Sequence, residues 1–451
     1  MRSFVHTSRR GSFLAALLVV SFVAPPALPR ASASRKYLDA AHATERWIRS
    51  SAIRTADGTI WPPDPNHPQT PSYDLYSGTT GVVLFYLEFY KQTHEPVFRF
   101  DNALDGARAL AKRMEQEKDP GLYTGLAGIC FALGEAYRLF PHPGEKADAL
   151  RCFQILRERA VRVGAGVQWN DTTDIISGSA GIGLTLLYAA RRLKDRAALD
   201  LAVQAGLRLI QLAHPEHGGL KWAMDPKFPR LMPNFSHGTA GVAYFLATLY
   251  QETRQKKFLD AALAGARYLL AIAVTDGGIC LIFHNEPFAK DIHYLSWCHG
   301  PAGTARLFYR LYQVTGDRKW MDWVKKGARG VLTSGIPEKQ TPGYWNNVGQ
   351  CCGSAGVVEF FLALYRVTRD PEYLVFARRV AADLLARATR QGSGAASTMK
   401  WIQAEHRLAP NQLVAQTGYM QGAAGIAMSF LHLDAFDRGR RPAITLPDSP
   451  F

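Results

Sequence analysis

Stretches that are apolar on nearly every face of a helix alternate along this chain with stretches that are apolar on one face only. Residues 82–90, 129–140, 242–250 and 357–365 are of the first kind, and such segments predict helices buried on all sides. Residues 98–117, 146–163, 196–213, 257–274, 318–332 and 371–389 are of the second kind, with 37–51 supplying the first of that series. They predict outer helices, wet on one face and packed inward on the other.

The alternation has a marker. Seven copies of G-x-[A/T]-G, opening at Gly78, Gly125, Gly178, Gly238, Gly300, Gly353 and Gly422, each start one of the buried runs. A repeat of one helical hairpin accounts for the length without separate domains. Seven outer–inner pairs make fourteen helices, and the pattern predicts an all-α fold, a double-walled (α/α) toroid with inner and outer rings. An open solenoid would use the same units, but a fixed set of seven that ends before a Pro-rich tail favours closure. The expected body spans residues 34–440, followed by the tail at 441–451. In each copy the first Gly permits close backbone approach and the second permits tight contact between converging inner helices. All seven turns should then lie at one end of the ring. The residues preceding them, Ser77, Thr124, Ser177, His237, His299, Cys352 and Gln421, should face a central cavity.

Chemistry is concentrated in three consecutive repeats. Asn234-Phe-Ser-His237-Gly, Ser296-Trp-Cys298-His299-Gly and Gln350-Cys351-Cys352-Gly place two His and three Cys on neighbouring turns. A single buried Cys or His is ordinary core. Convergence at equivalent repeat positions is not, because thiolate and imidazole are the ligands that zinc selects.

Together with the seven Gly clusters, the segment Asp174-Ile-Ile-Ser-Gly-Ser-Ala-Gly, His237-Gly, Trp297-Cys298-x-Gly-x-x-Gly and the later Cys-x-Gly-x-x-Gly resemble the lanthionine synthetase C-like family, in order, over almost all the chain after residue 33. The resemblance implies one zinc held by Cys298, Cys351 and Cys352, with water or a substrate thiol in the fourth place. It also implies acid/base roles for Asp174 and His237. Three positions depart from the family pattern: Cys352 stands where a His is commoner, His299 where a Tyr is usual, and Tyr294 where cyclases carry a catalytic Arg. Three thiolates on a dication leave a site of charge about −1, which would still deprotonate an added thiol. That chemistry suits addition of sulfur to a dehydroamino acid, with His237 or His299 as proton donor. Asp174 would orient a histidine, with a helix N-cap just before a turn as the lesser alternative. The substrate expected in the cavity is a peptide or a small thiol such as glutathione, and no dehydratase portion is present. Two other readings stay open: a zinc-stabilised toroid that binds an envelope peptide or glycan without catalysis, and a glycan-processing enzyme using paired carboxylates. For the last, only Asp74 and Asp174 are acidic near the turns, and their repeats are not adjacent.

Composition adds a location. Arg2, Arg9 and Arg10 precede an apolar run over 13–24, and Ala31-Ser32-Ala33 forms an A-x-A cleavage site. This predicts a removable export signal over residues 1–33, leaving no membrane span. Ser8-Arg9-Arg10 also resembles a twin-arginine signal with the apolar pair one place late; ordinary secretion remains the alternative. The formal charge of +15 falls to about +11 without the four leader arginines, which favours acidic partners. No run of five or six Lys/Arg marks a nucleic-acid patch, so none is expected to bind. Six Cys in an exported chain would ordinarily suggest disulfides, but three of them are expected as ligands.

Overall fold

The computed structural model describes Met1 and residues 35–225, 227, 231–341 and 347–451. The leader expected over 1–33 lies outside the described residues, apart from Met1. Among the described residues no helix is long and apolar enough to cross a membrane.

Fourteen long helices are present among the described residues, as the pattern predicts. The inner seven are Thr79–Thr93, Leu126–Leu139, Ser179–Arg192, Thr239–Thr253, Pro301–Thr315, Ser354–Thr368 and Ala423–Asp437. The outer seven are Lys36–Ser50, Asp105–Arg113, Pro143–Glu158, Arg196–Gln211, Lys256–Ala271, Lys319–Leu332 and Pro371–Arg387; Asp105–Arg113 is preceded by a π-helical stretch, Arg99–Leu104. Each inner helix packs on the next, and the seventh packs on the first, so the inner ring is closed.

The pairing in space differs from the order expected. Each of the first six inner helices runs through a short connection into the outer helix that follows it, as in Thr253 to Lys256, and packs against that one. A link of a few residues forces two antiparallel helices together. The first outer helix therefore has no inner partner of its own and packs instead on the last inner helix. There Tyr37 stacks on Phe430 with centroids 6.1 Å apart, and Arg46 Nε donates to Ser397 O at 2.7 Å.

Three outer helices, Pro143–Glu158, Arg196–Gln211 and Pro371–Arg387, end earlier than the pattern suggested, because β-hairpins replace their expected last turns. Val161–Val163 pairs antiparallel with Gly166–Gln168, His214–Glu216 with Gly219–Lys221, and Thr389–Gln391 with Thr398–Lys400. After each hairpin a Trp returns to the helix it left. The indole N–H groups of Trp169, Trp222 and Trp401 donate to the carbonyls of Leu156, Leu209 and Leu384 at 2.7–2.8 Å. Those carbonyls belong to final helical turns, which have no partner within the helix. Cys130 and Cys152 form a disulfide between an inner helix and the outer helix it packs on.

The seven Gly turns gather at one end and are joined by backbone hydrogen bonds into a closed circuit. Tyr76 N–H donates to Tyr123 O, Tyr123 to Ile176, Ile175 to Ser236, Ser236 to Cys298, Cys298 to Cys351, Cys351 to Met420, and Met420 back to Tyr76, at 2.8–3.2 Å. Gly303 shows why the second glycine is needed. A Cβ there would lie 1.9 Å from Trp297 O in its own turn and 2.7 Å from Phe235 Cβ in the preceding repeat.

The Pro-rich segment from Arg441 onward is not set apart; it belongs to the same unit as the ring and fills part of the lumen from the end away from the turns. The fully buried Glu88 accepts from the N–H groups of Ala443 and Ile444 at 2.8 and 2.7 Å. Fully buried Asp448 accepts from Trp297 Nε1 at 3.0 Å and pairs with Arg306 at 2.8 Å. A chain ending at Arg441 leaves Glu88 and Arg306 inside without these partners. Removing one partner of a buried charge pair costs about 3–5 kcal/mol, so denaturant unfolding of the truncated chain should show at least that loss; equal stability would show that the segment is not part of the folded lumen.

Candidate metal centre

Cys298 and Cys351 occupy the same place in successive repeats, two residues before the first Gly, and both are members of the backbone circuit. Cys298 N–H donates to Cys351 O at 3.0 Å, so the two side chains leave adjacent points of one rim. Cys352 follows directly. The Sγ of Cys298 lies 3.2 Å from that of Cys352, which lies 3.4 Å from that of Cys351, and all three fall within 4.8 Å of one another. All three are buried. Tetrahedral coordination at about 2.3 Å sets sulfurs about 3.8 Å apart, a few tenths of an ångström beyond the 3.2 and 3.4 Å separations, so the three thiols fit a metal ion with small outward adjustments.

They form the floor of a cavity of about 920 Å³. Of the residues preceding the glycines, Thr124, His237, His299, Cys352 and Gln421 line it, whereas Ser77 and Ser177 do not. Asp74 holds the Ser77 backbone N–H at 2.6 Å, and Asp174 holds that of Ser177 at 2.9 Å. Asp174 is not the helix cap: its Oδ1 accepts from the N–H groups of Ser177 and Gly178 in the turn before the helix Ser179–Arg192, and its Oδ2 meets His237 Nδ1 at 2.6 Å. His299 lies across from His237, ring centroids 5.6 Å apart, and edge-on to His284 at 4.4 Å. Tyr294 stacks on His284 at 4.2 Å. The expectation for acidic groups is corrected here, since Asp291 and Glu405 line the cavity and neither Asp74 nor Asp174 does.

Over residues 69–446 the sequence matches the family described as lanthionine synthetase C-like protein. The chain belongs to the lanthionine synthetase C-like family. A curated relative, "Glutathione S-transferase LANCL1" of Danio rerio, is 21% identical over 310 residues, covering 66% of this chain and 71% of the relative. Among solved structures, "Nisin cyclase" is similar with a TM-score of 0.61 at 15% identity, covering 90% of this chain and 94% of that one. The GH76A α-1,6-mannanase of Salegentibacter sp. HEL1_6, as an inactive variant, reaches 0.51 at 14% identity over 89% and 99%. At these identities the structural likeness concerns the fold.

In this lanthionine synthetase C-like protein three more side chains reach the site, of which the repeat pattern had singled out only Gln421. Tyr76 hydrogen-bonds Cys351. Gln421 Nε2 donates to the Tyr76 hydroxyl at 3.0 Å and lies 3.9 Å from Cys352 Sγ. Arg407, from the loop before the last inner helix, hydrogen-bonds Tyr294 at the cavity wall. Gln421 was reachable by counting back from its Gly; Arg407 was not, because its loop has no counterpart in other repeats.

Thiols this close cannot all ionise without a cation. Burial opposes charge on Cys351, but hydrogen bonds from Cys298, Cys352 and Tyr76 and the His237 charge outweigh it and hold its thiol well below the usual range. Burial, with hydrogen bonds to the other two thiols, pushes Cys298 well up. A metal bound by these thiols must displace the protons they retain. Burial and the neighbouring His284 and His237 hold His299 well below the usual histidine value. For His237 burial acts the same way, yet the Asp174 hydrogen bond and charge win and raise it above the usual 6.5. A raised histidine value means that the pair's stabilisation is full below about 6.5 and is lost as pH rises through the folded value. In Asp174→Asn only burial and weaker charges remain, so His237 should titrate below 6.5; an NMR pH titration that leaves it above would refute the pairing.

Proposed function

We propose that this protein binds one zinc through Cys298, Cys351 and Cys352 and adds a thiol to a dehydroalanine or dehydrobutyrine residue of a peptide. The observation that carries this reading is the convergence of three buried thiols on the floor of a wide cavity whose wall holds His237, itself held from behind by Asp174. When bound, zinc supplies acidification of the attacking thiol and holds its sulfur. The chain's own groups supply the rest. Asp174 occupies His237 Nδ1, so a proton passed into the cavity leaves from Nε2. The sulfur forms a bond to the β-carbon, the C=C pair moves toward the α-carbon, and that carbon takes the His237 proton. The proton lost by the thiol restores the imidazole. His299, held neutral, shapes the wall opposite His237, and Arg407 offers a guanidinium to a substrate carboxylate or carbonyl.

The family and the nisin cyclase fold support the thioether-forming reading, and the relative printed as a glutathione S-transferase supports a small thiol as an alternative nucleophile. Incubating the zinc-loaded chain with a dehydroalanine-containing peptide, with either an internal Cys or added glutathione, should give a thioether detectable by mass spectrometry, and His237→Asn should slow it by about 10²–10⁴-fold. Zinc binding with no thioether would favour the non-catalytic toroid; chelator-resistant cleavage of an α-mannan would favour the glycan reading. Export after removal of residues 1–33 is part of this proposal, and the Cys130–Cys152 disulfide supports an oxidising destination. Sequencing the mature N-terminus tests it.

The ligand set has its own test. Cys352→Ala leaves an open position, and zinc affinity should fall by orders of magnitude against structural sites worth about 10–16 kcal/mol. Cys352→His offers a nitrogen at about 2.0 Å in place of sulfur at about 2.3 Å and should retain one zinc. Chelator competition that gives the Ala variant the affinity of the parent would remove Cys352 from the site.

A further inference from the structure

At the end of the ring away from the thiols, the last turns of the inner helices and the C-terminal segment enclose a second cavity, of about 770 Å³. Five cationic side chains line it: Lys91, Arg138, Arg191, Arg192 and Arg310. One carboxylate, Glu135, does so too, and it is taken up by Arg138 and the Tyr188 hydroxyl. Arg191 pairs with Glu252 at 2.8 Å. Among the described residues Lys91, Arg192 and Arg310 have no carboxylate within 4 Å.

Arg310 is the informative one. It is 6% exposed, donates to Gln251 Oε1 and to the Tyr244 hydroxyl, and its Nε has no partner. Cations at helix C-termini are expected, because the macrodipole leaves partial negative charge there. That accounts for the exposed Arg191 and Arg192. It does not account for a buried guanidinium facing neutral oxygens, since a buried charge without an ionic partner is strongly unfavourable. Thr445 and Ser449 of the C-terminal segment line the same cavity and add hydroxyl donors suited to an oxyanion.

We propose that this cavity is an anion site for a phosphate group, either free phosphate or a phosphomonoester, or the phosphate of an anionic lipid headgroup, with Arg310 as its buried anchor and Lys91 and Arg192 as its outer cations. The site is separate from the thiol cluster, so its failure would leave the proposed chemistry untouched.

The test uses the full zinc-loaded chain. Inorganic phosphate, against sodium chloride at matched ionic strength, should raise Tm saturably by about 2 °C or more. Arg310→Met should abolish that rise while unfolding no earlier than the parent in phosphate-free buffer, because an apolar replacement relieves the uncompensated charge. Should that variant fold poorly, Lys91→Gln with Arg192→Gln should weaken phosphate binding about tenfold or more. Lys256→Gln, on the outer surface, should change nothing. Saturable stabilisation by sn-glycerol 3-phosphate without sedimentation on phosphatidylglycerol vesicles assigns a soluble ligand; sedimentation on those vesicles but not on phosphatidylcholine, lost in Arg310→Met, assigns a headgroup. A phosphate shift that survives in Arg310→Met and in the double variant, or that sodium chloride reproduces, overturns the proposal.

Discussion

A closed circuit of backbone hydrogen bonds among the seven turns is the constraint on which the rest of this molecule depends. Each bond joins one repeat to the next two residues before the glycine, or at the adjacent residue in the third repeat. Because backbone groups carry no sequence identity, the circuit positions side chains without being altered by them. A ring bonded to itself also has no free edge, so no terminal repeat needs a special cap, unlike an open array. Glycine is required where the turn folds back onto its own carbonyl, as at Gly303.

The circuit explains the metal cluster. Two of its members are Cys298 and Cys351, whose backbones are bonded directly, and adjacent Cys352 brings the third sulfur. The geometry needed for a metal is therefore set by the fold before any metal binds, which lowers the ordering needed on binding. The neighbouring repeats supply polar support in the same manner. Asp174 spends one oxygen on its own turn and the other on His237, so the residue that shapes one repeat also orients the imidazole of the next.

The two ends of the lumen have opposite chemistry. The turn end collects thiols and imidazoles around an open cavity, while the far end holds the C-terminal segment among buried carboxylates and arginines. Asp448 links them, since it binds the indole of Trp297, the residue before Cys298. A segment with the Pro-rich composition of an unstructured tail thus serves as interior structure, because its backbone N–H groups find Glu88 and its one buried acid finds Arg306.

Periodicity and the glycine spacing by themselves determined the fourteen helices and their inner or outer place, because burial on all faces and repeat register are local properties of sequence; the motifs around Cys298, Cys351 and Cys352 carried the resemblance to the family and implied the three thiols as ligands. The residue order also placed Asp174 and His237 one repeat apart. Tertiary structure alone decided that Lys36–Ser50 closes the ring on Ala423–Asp437, that hairpins and tryptophans finish the outer helices, and that Cys130 pairs with Cys152. It alone brought Tyr76 to the thiols and Arg407 to the wall of their cavity, and buried Arg310 with Gln251 and Tyr244 as its partners. These features depend on contacts between residues far apart in the chain, and a contact at long range leaves no period in the sequence for any single segment to display.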